Sequence, residues 1–412
     1  MFLGNELIAQ PLGKKQGARV MLAEEKLLLC SARIDITSEQ KKLGSSLIAG
    51  GIDWELFAKK AVWHNLISIV CRNYKKNCPG VLPAEIDKAF SGVATTNAAK
   101  NLFLCYALEI ILGELRAVGV DAVPFKGPAL ALLVYSDLSA RCFSDLDILI
   151  DRASLKTASG ILKTMGYRAE LNLNHEQLLA FSYHEDNLTF YHKDGVVVEL
   201  HWELSGLYLA RPVTLQDLLS SLVSINLTEG KAPHLPINIL LVYLSVHGAK
   251  HMWEKLEWLV CVHELVGTAT DKEWSLALEL AGAWRCRRMF FLGLSLCREL
   301  FDTELPADIM VEIKKDPHLV QLAQQIKSLL FQGDKGEEDK SGGKRFTLFH
   351  LQVRDSLVDS IRYLLRLLFR PSRVEWQLFP LPASLSFLYY IVRPLRLIFV
   401  GFKLGVGCMV SR

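Results

Sequence analysis

Three carboxylates and one turn carry the chemistry that can be read from the chain. Asp145 and Asp147 stand one residue apart in FSDLDILI, and residues i and i+2 of a strand point to the same face. Like charges held side by side repel, so such a pair calls for a cation beside it. Glu199, in GVVVELHW, is the sole acid on an otherwise apolar strand face, where an unpaired carboxylate is expensive to bury. If both strands share a sheet, Asp145, Asp147 and Glu199 form a hard-oxygen site suited to Mg²⁺ or Mn²⁺. Such ions bridge phosphate oxygens and activate an attacking hydroxyl. The competing reading makes Glu199 a core ion pair with Arg141 or His201.

Lys126-Gly127 supplies the other half. The turn ends a short apolar strand and opens a helix, so free N–H groups point at an anion and glycine lets a phosphate approach the backbone. Lys126 would neutralise triphosphate charge, and Arg141 would touch the same phosphates or brace its loop. The GxxxxGK[ST] pattern of a Walker loop is absent. His201 shares a face with Glu199 and is placed to orient it. His247 and His251, with Lys250 between them, lie on one helix face. A substrate contact or a supporting role fits these three better than a metal site, because no third ligand is apparent. His64, in an apolar helix, reads as a partly buried, hydrogen-bonded histidine and not as a ligand.

The elements that must position these groups follow from periodicity. Strands are expected at 121–125, 145–150, 167–171, 187–192 and 195–202, with helices at 127–135, 152–165 and 175–183. Asp194-Gly195 suits a tight hairpin between the last two strands. The result is an α+β chain with a mixed sheet of four to five strands between N- and C-terminal helical regions. Helices are expected before it, one of them capped by Asp53, and after it at 215–222, 236–252, 254–268, 272–283, 286–302 and 317–331. The chain divides into an N-terminal helical region (1–118), a core (119–205), a helical domain (206–331), a polar Gly-rich linker (332–345) and a basic, partly apolar C-terminal region (346–412).

Composition narrows the function class. With 412 residues, 50% hydrophobic and 22% charged, the chain can bury a sizeable core and is neither disordered nor a simple multi-pass membrane protein. Its net charge of +3 leaves no nucleic-acid footprint, so neither a template-directed polymerase nor a sequence-specific nucleic-acid reader is expected. From Lys340 onward, 12 Lys/Arg face 3 Asp/Glu, a net of +9 that leaves −6 on the first 339 residues. A basic tail suits an anionic surface. Within it, Arg354, Arg362, Arg366 and Arg370 form one face of an amphipathic helix. Arg393-Pro394-Leu395-Arg396 breaks the last apolar run, which disfavours a lone membrane span. An interfacial attachment with Arg and Lys at headgroup level and a helix packed on the body both remain open. Nine cysteines without a CxxC pair point to reduced thiols in the cytosol, and the N-terminus carries no secretory leader. A cytoplasmic protein is expected, with peripheral contact at the inner face of the membrane as the alternative.

FKGPALALLVY, RCFSDLDILI, LKTMGYR and VVVELHW together resemble a bacterial nucleotidyltransferase-like family of the DNA polymerase beta-like superfamily. DWELFAKKAVWHNL and LLVYLSVHGAKHMWEKLEWLVCVHEL resemble the family's helical flanks, so the likeness spans most of residues 50 to 300. In that superfamily a Gly-Gly or Gly-Ser turn commonly precedes the DxD; here Lys126-Gly127 stands in its place. The resemblance implies transfer of a nucleoside monophosphate from an NTP to an acceptor hydroxyl on a small molecule, a sugar or lipid-linked intermediate, or a protein, with release of pyrophosphate. It implies that Asp145 and Asp147 bind both metals, and that Glu199 binds the catalytic one and favours deprotonation of the acceptor. Members of this kind are often associated with cell-surface polysaccharide or peptide natural-product pathways. A catalytically silent protein that keeps the fold and binds nucleotide or a partner is the alternative, and a membrane-surface adaptor with an inherited core is a third.

Overall fold

The computed structural model describes residues 20–331 and 348–410. The 332–345 linker and the N-terminal stretch lie outside the described residues. Five strands form one mixed sheet: β1 (Ala122–Pro124), β2 (Asp145–Ile150), β3 (Arg168–Ala169), β4 (Asn187–Tyr191) and β5 (Val197–His201), in the order β1-β2-β5-β4-β3. β2 and β5 run parallel, and the other neighbours are antiparallel.

Alternation decides which way each strand faces. Leu146, Ile148 and Ile150 of β2 and Val198 and Leu200 of β5 are fully buried on one face. They pack under the long helix Ala84–Ala117 and the helix Leu155–Thr164. Each such side chain contributes roughly 1.5–3 kcal/mol when removed from water. A one-residue slip would bury the acids instead, so the apolar set fixes the register. The opposite face carries Asp145, Asp147, Glu199 and His201 toward the helix Ile237–Lys250, whose Tyr243 packs edge-on to Phe125 at 5.4 Å between ring centres.

The expected strands are present, 145–150 with the expected bounds and the others shorter, and the expected helices of the core form at Gly127–Tyr135, Leu155–Thr164 and His175–Ser182. Asp53 caps its helix by accepting from Leu56 N–H at 2.9 Å. His64 is buried beside Phe331, accepts from Leu256 N–H at 3.3 Å, and is pushed down to about 3 by burial and then by Lys255.

Two features depart from the sequence reading. The helix expected from Ala94 to Gly119 is longer at its start and runs from Ala84 to Ala117, with Pro83 at its N-cap. Residues 206–331 are not wholly helical: β6 (Val223–Asn226) and β7 (Lys231–His234) form a hairpin. Its strands are short and one contains Pro233, so the period-2 signal is too weak to stand out. The eight described cysteines are all free. One stretch, Ala383–Val400, is long and apolar enough to cross a bilayer by length and composition, with a mean hydropathy of 1.4 and 11% of its residues buried.

Candidate active site

Asp147 and Glu199 are register partners on the parallel pair β2 and β5. His201, two residues on from Glu199, points to the same side, and its Nε2 lies 3.1 Å from Asp147 Oδ1 and 3.2 Å from Glu199 Oε2. Asp147, Glu199 and His201 each offer a ligand atom within 4.8 Å of the others, the one such group among the described residues. A site of two carboxylates and an imidazole fits a divalent metal, and the imidazole shifts the preference from Mg²⁺ toward Mn²⁺ or a later transition ion. Asp145 stands at the outer end of β2, half-buried and outside that group. The structure groups Asp147, and not Asp145, with Glu199 and His201.

Lys126 holds the most consequential position. The chain leaves β1, Phe125 N–H donates to Asp147 C=O at 3.2 Å, and Lys126 then turns its Nζ to 2.7 Å from Asp147 Oδ1. The sequence reading gives Lys126 a phosphate partner; in the structure its ammonium meets the Asp147 carboxylate. Gly127 begins the next helix at φ 56°. A Cβ there would sit 2.9 Å from Asp145 C=O, so glycine is required both for the left-handed backbone and for the close approach of the turn to β2. Pro128, in the helix's first turn, lacks an N–H, which leaves Gly127 and Ala129 as the nearest backbone donors.

The electrostatics follow from these contacts. Burial alone would raise Asp147, but Lys126 and His201 outweigh it and hold its carboxyl well below the usual range. His201 is raised: burial opposes its charge, and hydrogen bonds to Asp147 and Glu199 overcome that. Glu199 is lowered against its burial by the same imidazole. Asp145, by contrast, is raised by burial and then by the neighbouring Asp147. The cluster thus holds its negative charge against the Lys126 ammonium and an imidazole whose proton affinity is raised.

The remaining expected residues divide. Arg141 is buried with its Nε 3.0 Å from Glu257 Oε1 on the helix Leu256–Thr268, and so braces its loop. His247 sits on the Lys126 side of the site; burial and then Lys126 push it well below its ordinary value. His251, pushed down to about 4 by burial and then Lys250, lies 4.9 Å from His247 between ring centres, and both rings pack on Trp258. Lys250 turns away, its Nζ 5.8 Å from the centre of the Tyr208 ring. Neither histidine joins a metal-ligating group among the described residues.

Sequence reasoning passes over three residues. Tyr243 meets Lys126 one helical turn before His247. Asn187, at the start of β4, donates from Nδ2 to Glu199 Oε2 at 2.7 Å. Arg373, far along the chain, donates to the Asn187 side-chain oxygen and, at 3.1 Å, to its carbonyl. Only Tyr243 carried a signal, its spacing of four from His247.

The sequence model of a family described as "Uncharacterised nucleotidyltransferase" matches residues 50–302. No match is found among curated proteins.

Proposed function

The chain belongs to the family of uncharacterised nucleotidyltransferases, and from that premise we propose that it transfers a nucleoside monophosphate from an NTP to an acceptor hydroxyl, releasing pyrophosphate. The observation that carries this reading is the register pairing of Asp147 with Glu199, closed by His201 and flanked by the Lys126-Gly127 turn. Mg²⁺ or Mn²⁺, when bound, would supply Lewis-acid neutralisation of the triphosphate and lower the acceptor's pKa. Asp147 and Glu199 would hold the ion, with Asp145 supporting it from the end of β2. Lys126 would exchange Asp147 for a phosphate oxygen as the nucleotide enters, and the Gly127 and Ala129 N–H groups would face the same phosphates. Glu199, steered by Asn187 and His201, would face the acceptor hydroxyl. The acceptor is a small molecule, a sugar or lipid-linked intermediate, or a protein.

Purified protein incubated with each α-labelled NTP, Mg²⁺ or Mn²⁺, and cell extract tests this. Label transfer should appear and fall at least about 100-fold in Asp147→Asn and Glu199→Gln, the scale of several kcal/mol of lost charge stabilisation. Absence of binding by every NTP would overturn the proposal. One observation favours a second reading, a catalytically silent nucleotide- or partner-binding protein: Lys126 and His201 already satisfy Asp147. NTP binding without transfer, unchanged in Asp147→Asn, would establish that reading.

A further inference from the structure

The C-terminal region presents an amphipathic helix turned inside out. In the helix Leu357–Phe369, Asp359, Tyr363 and Arg366 face the body, where Arg366 donates to Leu209 C=O at 2.9 Å and Arg285 donates to both Asp359 oxygens at 2.8 Å. The apolar stripe at spacings of four and three, Leu357, Ile361, Leu365 and Leu368, faces outward, with Leu357 76% exposed. An apolar stripe normally seeks the core, so this arrangement calls for an outside partner.

The helix Tyr389–Val410 repeats the pattern alongside. The arginines that break its apolar run are drawn inward: Arg393 is buried, donates from Nε to Leu367 C=O at 2.9 Å and meets Glu375 at 3.2 Å, and Arg396 binds the other oxygen of the same fully buried Glu375. Ile391, Leu395 and Ile398 are left on the outer face, each more than half exposed. The expectation that Arg393 and Arg396 sit at headgroup level is thereby replaced: they are pinned beneath the face by Glu375. Trp376 and Tyr389, both buried, pack with ring centres 4.5 Å apart at a tilt of 41° and root the assembly in the sheet's core cluster.

We propose that this two-helix face seats on the surface of an anionic lipid bilayer, as a monotopic attachment. Two observations select a bilayer over a second copy of the chain. Residues 348–400, the segment that bears this uncharged face, hold seven arginines against three carboxylates, a net of +4. Asp355, Asp359 and Glu375 are each engaged by arginine side chains or backbone N–H groups, so no free carboxylate faces the headgroups. A second copy would bring the same excess of positive charge against itself, whereas anionic headgroups complement it. The stretch Ala383–Val400 is apolar, with a mean hydropathy of 1.4, and only 11% of it is buried. This inference does not rest on the transfer reaction, and the two fail separately.

Flotation of the full-length protein with vesicles of phosphatidylcholine alone, and of phosphatidylcholine with phosphatidylglycerol, tests it. The protein should float with the anionic vesicles and about tenfold less with the neutral ones. Ile361→Asp with Leu365→Asp, and separately Leu395→Asp with Ile398→Asp, should each reduce binding at least about tenfold while keeping the wild-type circular dichroism, since all four positions are exposed. Equal flotation of wild type and both folded variants overturns the proposal. So does a failure of wild type to float, including the case in which light scattering shows a dimer that the variants dissociate.

Discussion

Lys126 Nζ and His201 Nε2 meet at one atom, Asp147 Oδ1, at 2.7 and 3.1 Å. Any cation that uses this oxygen must displace or share it with the lysine. Lys126→Met should therefore raise the Mn²⁺ affinity of the nucleotide-free protein about tenfold, the scale of losing one neighbouring charge. Turnover should fall by about 10–100-fold, because the triphosphate loses its counter-charge. Paramagnetic titration and label transfer read the two effects. A fall in both would show that the lysine is a structural partner of Asp147 and does not compete with the metal.

Gly127 and Gly195 both have positive φ, but only Gly127 is crowded. Gly195→Ala should cost about 1 kcal/mol, backbone strain alone. Gly127→Ala adds a contact with Asp145 C=O and should cost about 2–3 kcal/mol. Urea denaturation of the two variants gives the comparison, and equal losses would refute the close-approach argument.

Arg141 and Glu257 neutralise one another out of water. Removing one leaves a buried charge, so Arg141→Met should destabilise by about 3–5 kcal/mol. Adding Glu257→Gln should recover about 2 kcal/mol of that, because the orphaned carboxylate is gone. An additive double variant would mean that the pair is not coupled and would free Arg141 for a phosphate.

Glu185 is raised to about 7 by burial and by Asp186, against Arg373 and Arg370, which lower it. Unfolded, it titrates near the ordinary carboxylate value, so between pH 4.5 and 7 the folded state holds more protons than the unfolded one. Stability from this group accordingly falls as pH rises through that window, and the full penalty stands above it. Glu185→Gln removes the penalty. Its gain over wild type should be near zero at pH 4.5 and on the order of 2 kcal/mol at pH 8. A gain independent of pH would place the effect elsewhere.

How much of this could be read from the sequence depended on whether the signal was local. β2 and β5 announce themselves, because an acid among valines and leucines has only a few affordable surroundings, and their apolar partners fix which face it takes. That Asp147 and not Asp145 stands opposite Glu199 did not follow, because only the register of the parallel pair decides it. The partner of Lys126 did not follow: a lysine beside a helix start reads as a phosphate ligand, and only the sheet's geometry brings Asp147 to it. Arg141 met the same ambiguity, and Glu257, on a distant helix, resolved it. The period of 357–369 gave an apolar stripe without saying which side faces the body. Asn187 and Arg373 lie 186 residues apart, with nothing in either neighbourhood to pair them.

That last contact reaches beyond the stretch that the family model matches. The family likeness ends at residue 302, yet the edge of its sheet is closed by Arg373, which clasps Asn187, which steadies Glu199. A shortened version built to the family's boundary would be an unfastened one. Its central strands would remain, but Glu199 would lose the tether that Arg373 gives it through Asn187.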